Sequence, residues 1–169
     1  MIGTLAGLGA NHFLVWNITD LGLVPAVTAQ GTAAAQGASS VVAYMNFLLT
    51  QALAALPGSI TDDLILFDAY AGLNDIVANP AAYGLTNVTS ACYDGQVDGS
   101  PTPGTSAVSE CPNESEYLYY DLEHPSAVLH DWAARTMYAQ LVVPEPGELA
   151  LSLTALGLMG FFGRRRSRA

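Results

Sequence analysis

Two four-residue apolar runs, Phe13 to Trp16 and Leu64 to Phe67, flank a stretch whose apolar residues recur at helical spacing. Runs this short, apolar at successive positions, fit strands covered on both faces of a sheet. Strand, helix and strand in succession demand a right-handed crossover, so the two strands are predicted to run parallel in an α/β fold. Val41, Met45, Leu48, Leu49 and Ala52 supply the helical stripe, Ser39 or Ser40 can cap it, and Pro57-Gly58 stops it. Residues 26–38 read as a loose connection. Residues 17–25 form the turn at the carboxyl end of the first strand, where open α/β sheets place their ligand sites. A short helix is predicted from Leu73 to Ala78, a long loop over residues 84–116, and a last helix from Pro125. Val128, Leu129, Trp132, Met137 and Leu141 give that last helix one apolar face. Residues 1–10 resemble a helix end with Gly9 as its cap, and they lack the basic start and apolar centre of a signal peptide. The chain is accordingly expected to begin inside a domain.

The chemistry concentrates in Tyr117-Leu118-Tyr119-Tyr120-Asp121-Leu122-Glu123-His124-Pro125-Ser126. An apolar, aromatic run delivers an acid and a histidine three residues apart. A loop of that length can fold back so that the carboxylate accepts a hydrogen bond from one ring nitrogen while the other faces a cleft. That is the base-and-orienter half of a nucleophilic triad. Imidazole suits the role because it exchanges a proton near neutrality. The plainer alternative makes Asp121 a helix cap and His124 a solvated loop residue. Of the remaining histidines, His12 precedes a strand on the side away from the cleft and reads as structural. His130 falls with Asp131 toward the polar side of the last helix.

Thirteen acids and a single base, Arg135, lie before Val143, and the chain has no lysine. A surface this acidic repels phosphate backbones, which argues against a nucleic-acid partner. The 51% hydrophobic content is ample for a core. Cys92 and Cys111 bracket a loop rich in Gly, Pro, Ser and Asp. A disulfide there would contribute roughly 3 kcal/mol. Two buried thiols or half of a metal site are the alternatives, and no further Cys or suitably spaced His supports a metal. Asn17, Asn87 and Asn113 open Asn-x-Ser/Thr triplets, to which no role is assigned.

The Asp-x-x-His-Pro segment, preceded by Tyr-Leu-Tyr-Tyr and followed by a helix, resembles the last sequence block of the GDSL (SGNH) esterases and lipases. Further resemblances are His12-Phe13-Leu14-Val15-Trp16-Asn17 followed by Asp20-Leu21-Gly22-Leu23-Val24-Pro25, then Asp68-x-Tyr70, Asn79-Pro80, Tyr83-Gly84 and Cys92. Together they cover residues 1–142. The resemblance implies the C-terminal portion of an SGNH-hydrolase domain, a flavodoxin-like three-layer α/β/α fold with a parallel sheet and its N-terminal portion missing. It implies catalytic roles for Asp121 and His124, pairing of Cys92 with Cys111, and no cofactor or metal.

The family's nucleophile block is absent: no Gly-Asp-Ser occurs, and no Gly-x-Ser-x-Gly elbow. Gly58-Ser59-Ile60 precedes a strand, whereas a nucleophile needs the turn that follows one, so Ser59 is discounted. Gly72-Leu73-Asn74-Asp75 matches the family's Gly-x-Asn-Asp literally, but its neighbours place it in a later segment, so Asn74 is discounted as an oxyanion donor. A truncated gene model, a genuine fragment and a degenerate homologue all remain open.

Residues 143–169 change character. Pro144-Glu145-Pro146 breaks the helix, an almost uncharged apolar run spans Leu149 to Phe162, and Arg164, Arg165 and Arg166 follow. The 17 residues from Gly147 to Gly163 sit at the lower limit for crossing a bilayer, and clustered arginines stay cytoplasmic, so a C-terminal transmembrane helix is predicted. The alternative is a core helix with a basic tail. The order of motifs resembles the PEP-CTERM sorting signal, which implies an exosortase-type processing enzyme and export to the cell envelope or beyond. Two functions are expected to compete. One is an exported ester hydrolase acting on a lipid, acylated sugar or small ester. The other is a non-catalytic envelope or extracellular-matrix protein.

Overall fold

The computed structural model describes residues 1–95 and 108–141. The chain divides into two units, Met1–Arg135 and Thr136–Ala169, and the described part of the second is the end of one helix. Helix α1 (Ile2–Gly7) ends ahead of Gly9, which takes a positive φ of 102°. Strand β1 (Phe13–Trp16) leads through a one-turn 3-10 segment at Leu21–Leu23 into α2 (Pro25–Thr28) and the long α3 (Thr32–Ala54). Helix α4 (Gly58–Thr61) precedes β2 (Leu64–Phe67), which runs parallel to β1 with Phe13 opposite Leu64 and Trp16 opposite Phe67. The apolar runs thus form the parallel pair that their pattern required. Helix α5 (Ala69–Ala78) follows directly, because the Asp68 carboxylate accepts from the Ala71 amide at 3.0 Å and starts the helix four residues before the predicted Leu73.

Among the described residues, two small parallel sheets stand in place of the predicted single parallel sheet in three layers. β3 (Asn87–Ala91), inside the stretch read as a loop, pairs in parallel with β4 (Tyr117–Tyr119). Parallel neighbours need a long connection, and residues 92–116 supply it. Helix α6 (Ala127–Leu141) begins two residues after Pro125, which instead bridges back to Tyr119. Leu118 and Tyr119 of β4, Leu73 and Ile76 of α5, and Leu85 form the buried core. Val128, Leu129 and Trp132 of α6 pack against it.

Helix α3 departs most from its pattern. The connection predicted for residues 26–38 is largely helical, because three consecutive alanines at 33–35 favour helix and Gly31, at φ 102°, turns the chain into it. Its inward face is not the predicted stripe: Val41, Met45 and Leu48 are exposed, while Val42 and Leu53 are buried. Polar partners set the rotation of the helix. Asn46 brackets the Ile18 backbone, accepting from its amide at 2.9 Å and donating to its carbonyl at 2.7 Å, and Ser39 donates to Asp20 at 2.6 Å.

The predicted C-terminal transmembrane helix is corrected. No helix among the described residues is long and apolar enough to cross a membrane. The longest, α3, carries Gln36, Ser39, Ser40, Asn46, Thr50 and Gln51 along its 23 residues. Residues 147–163, Pro144, Glu145, Pro146 and the arginines 164–166 lie outside the described residues.

Candidate active site

Strand β4 carries the candidate base to the surface. Leu118 and Tyr119 anchor it in the core, and the chain then reverses within five residues. The Tyr120 amide donates to the His124 carbonyl at 2.9 Å, and the Ser126 amide donates to the Leu118 carbonyl at 2.9 Å. Inside this turn the Asp121 Oδ1 accepts the backbone amides of Glu123 at 2.8 Å and His124 at 2.5 Å. Asp121 Oδ2 lies 2.8 Å from His124 Nδ1, and Oδ1 lies 3.0 Å from the same nitrogen. One carboxylate therefore shapes the loop and orients the ring.

The two side chains meet water very differently, at 12% exposure for Asp121 and 62% for His124. With Nδ1 engaged by Asp121, Nε2 is the nitrogen left to accept a proton. Burial pushes the Asp121 carboxyl up, but the amides of His124 and Glu123 and the imidazole itself outweigh that, leaving it below the usual carboxylate range. The capping alternative is thus half right. Asp121 does accept backbone amides, though in its own turn and not at the start of α6.

The residues that follow β3 bond to this turn. The Cys92 amide donates to the Tyr119 carbonyl at 3.0 Å and the Tyr93 amide to the Tyr120 carbonyl at 2.6 Å. Cys92 and Cys111 form a disulfide with Cα atoms 4.7 Å apart. The Tyr93 and Tyr120 rings stack at 5.6 Å.

The carboxyl ends of β1 and β2 hold a polar network. Asn17 donates to Asp68 at 2.7 Å and accepts the Tyr70 amide at 3.0 Å, which binds the two strand ends together. Asp20, only 4% exposed, accepts from Gly22 and Ser39. Burial raises the Tyr70 hydroxyl, and the charge of Asp20 and a hydrogen bond to it raise it further. The resemblance of residues 12–25 and of Asp68-x-Tyr70 pointed to this region. The roles of Asp20 and Asn46 were missed, because a buried polar partner leaves no periodic signal.

Beside the network lies a groove of about 390 Å³ whose lining includes Trp16, Asn17, Leu73, Glu123, Pro125, His130 and Trp132. His130 stands on its rim, and its neighbour Asp131 accepts from Arg135 at 2.7 Å. His12 is exposed ahead of β1. Ser59 sits in α4, ahead of β2, where a nucleophile would not be presented. Asn74 donates to the Tyr70 carbonyl within α5 at 2.9 Å. Gly72 serves packing: a Cβ there would lie 2.1 Å from the Trp132 ring. No serine hydroxyl is bonded to His124 among the described residues, and the adjacent Ser126 is 1% exposed. Among the described residues no group of three or more His, Cys, Asp or Glu is placed to hold a metal.

No family model matches the chain. An Arabidopsis thaliana GDSL esterase/lipase is 30% identical over 142 residues, which cover 81% of this chain and 39% of that protein. A second from the same plant is 31% identical over 137 residues, 76% of this chain and 35% of the relative. This chain is homologous to GDSL esterases/lipases. A third GDSL esterase/lipase, 29% identical, covers 80% of this chain and 36% of its own length. The chain thus spans between a third and two fifths of the GDSL relatives it matches.

Proposed function

We propose that this chain supplies the acid–base half of a GDSL-type ester hydrolase. The observation that carries the reading is the Asp121–His124 pair, an exposed imidazole oriented by a shielded carboxylate on the loop after β4. The homology to GDSL esterases/lipases supports it.

In this reading His124 Nε2 takes the proton of a serine hydroxyl as its oxygen attacks the acyl carbonyl, and Asp121 stabilises the imidazolium that forms. The imidazolium then protonates the departing alcohol. Water, activated by the same ring, releases the acid and restores the serine. The nucleophile and the oxyanion donors come from outside the set of residues assigned here. The substrate is an ester: a lipid, an acylated sugar or a small ester. The reaction as written uses no cofactor.

The reading extends to export. Cys92–Cys111 is a bond that persists in oxidising compartments. Pro144-Glu145-Pro146 with Arg164, Arg165 and Arg166 resembles an exosortase-type sorting signal, whose cleavage would appear as a new C-terminus in the mass of the mature protein.

The test uses the protein expressed from its natural locus with all flanking coding sequence, assayed on short-chain nitrophenyl esters beside His124→Ala. A fall of about 10³-fold or more is expected. Equal rates would exclude His124 as the base, and no hydrolysis by either would favour the non-catalytic envelope or matrix protein.

A further inference from the structure

We propose that the groove beside the His124 turn is a site for a quaternary ammonium cation, and that esters carrying such a group on their alcohol are the substrates. The substrate claim rests on the ester-hydrolase reading; the binding claim does not. Both tryptophans of the chain, Trp16 and Trp132, line the groove, and Trp16 is 45% exposed. An indole face is the strongest aromatic partner for a cation. Among the described lining residues Glu123 carries the one fixed charge, and no lysine or arginine joins it. The wider field has the same sign, since thirteen acids and a single base lie before Val143 and that base, Arg135, is paired with Asp131. The field reaches the groove wall: burial, and after it the charge of Asp20, pushes the Tyr119 hydroxyl up.

The walls decide which kind of cation fits. A metal ion or a primary ammonium holds its water tightly and gives it up only to several oxygens. The Asn17 oxygen already accepts the Tyr70 amide, and the Tyr119 hydroxyl is buried, which leaves Thr19 and Glu123 to offer oxygens among the described lining side chains. Leu21, Val24, Leu73 and Leu129 offer none. A trimethylammonium group asks for none, because its charge is spread over methyl groups that pack on aliphatic and indole surface alike. The same walls accept an uncharged alkyl group of that shape, but Glu123 and the acidic field add attraction only for the cation. The 390 Å³ volume is ample for such a head and a short arm. Glu123 and Pro125 flank His124 in sequence and both belong to the lining, so a cation held by Glu123 and the indoles sets an ester on its arm beside the imidazole.

The full chain is titrated with choline and with 3,3-dimethylbutan-1-ol, its uncharged isostere, and tryptophan emission is read because both indoles line the groove. Choline should give a saturable change with a Kd at least about fivefold below that of the isostere. Glu123→Gln should narrow that gap at least about twofold. Leu21→Lys, at a position already 44% exposed, puts a cation in the wall. It should abolish choline binding while the isostere still binds and the far-ultraviolet circular dichroism is unchanged. Equal Kd values in the parent, or choline binding that neither substitution weakens, would overturn the proposal. The substrate class is tested on the natural-locus protein with acetylcholine against 3,3-dimethylbutyl acetate, where kcat/KM should favour the cationic ester by a similar factor. Equal kcat/KM values would overturn the substrate claim. Choline-selective binding with hydrolysis of neither ester would support the cation site and count against the hydrolase reading alone.

Discussion

Asp121 touches His124 twice over, through the backbone amide at 2.5 Å and through ring Nδ1 at 2.8 Å, so the bond that closes the turn and the bond that aims the imidazole come from one carboxylate. Mutating Asp121 therefore changes shape and chemistry together.

The pH dependence of stability follows from this pairing. Burial raises the Asp121 carboxyl, yet the amides and the imidazole bring it below its ordinary value. A carboxyl lowered on folding stabilises the native state above its unfolded-state value, about 3.9, and that contribution is lost as pH falls through the folded value. Urea midpoints of the parent and of Asp121→Asn should differ most near neutrality and converge as pH falls below the ordinary carboxylate range. A difference that stays constant with pH would contradict the assignment.

Asn46→Leu should destabilise the fold by about 1–3 kcal/mol, because the Ile18 amide and carbonyl both lose their partner in a half-buried setting. Chemical denaturation measures the loss. Val41→Ala on the same helix, at a 59% exposed position, should cost far less.

Gly72→Ala places a methyl group 2.1 Å from the Trp132 ring, so the indole must move. A loss of about 1–3 kcal/mol is expected, together with a shifted tryptophan emission spectrum. The same substitution at Gly58, where nothing lies within 4 Å, should leave the spectrum unchanged.

Replacing both Cys92 and Cys111 by Ser should lower stability by roughly 3 kcal/mol. Because Cys92 and Tyr93 donate to the carbonyls of Tyr119 and Tyr120, amide hydrogen exchange in residues 119–124 should quicken as well. Protection unchanged in those residues would show that the turn holds itself.

The parallel pairing of β1 with β2 was legible because continuous apolar runs report burial on both faces. The Asp121 and His124 contact was legible because both residues lie within one short turn. The rotation of α3 was not, since it follows Asn46 and Ser39, whose partners Ile18 and Asp20 stand 28 and 19 positions away. β3 escaped notice for a related reason. Its sequence, Asn-Val-Thr-Ser-Ala, has only two apolar residues, and its pairing with β4 depends on residues far along the chain. The division into two small sheets likewise depends on contacts between distant segments, which local pattern does not encode.

The connection from β3 to β4 leaves and returns at nearly one point, since Cys92 and Cys111 hold its ends 4.7 Å apart. Mechanically, Tyr93 lies just inside that bridge and both bonds to and stacks on Tyr120, so the sulfur bridge is coupled to the imidazole-bearing turn through a single neighbouring residue. The five-residue reversal that carries His124 has little latitude of its own, so natural variation in this protein should spare Tyr93 along with that reversal.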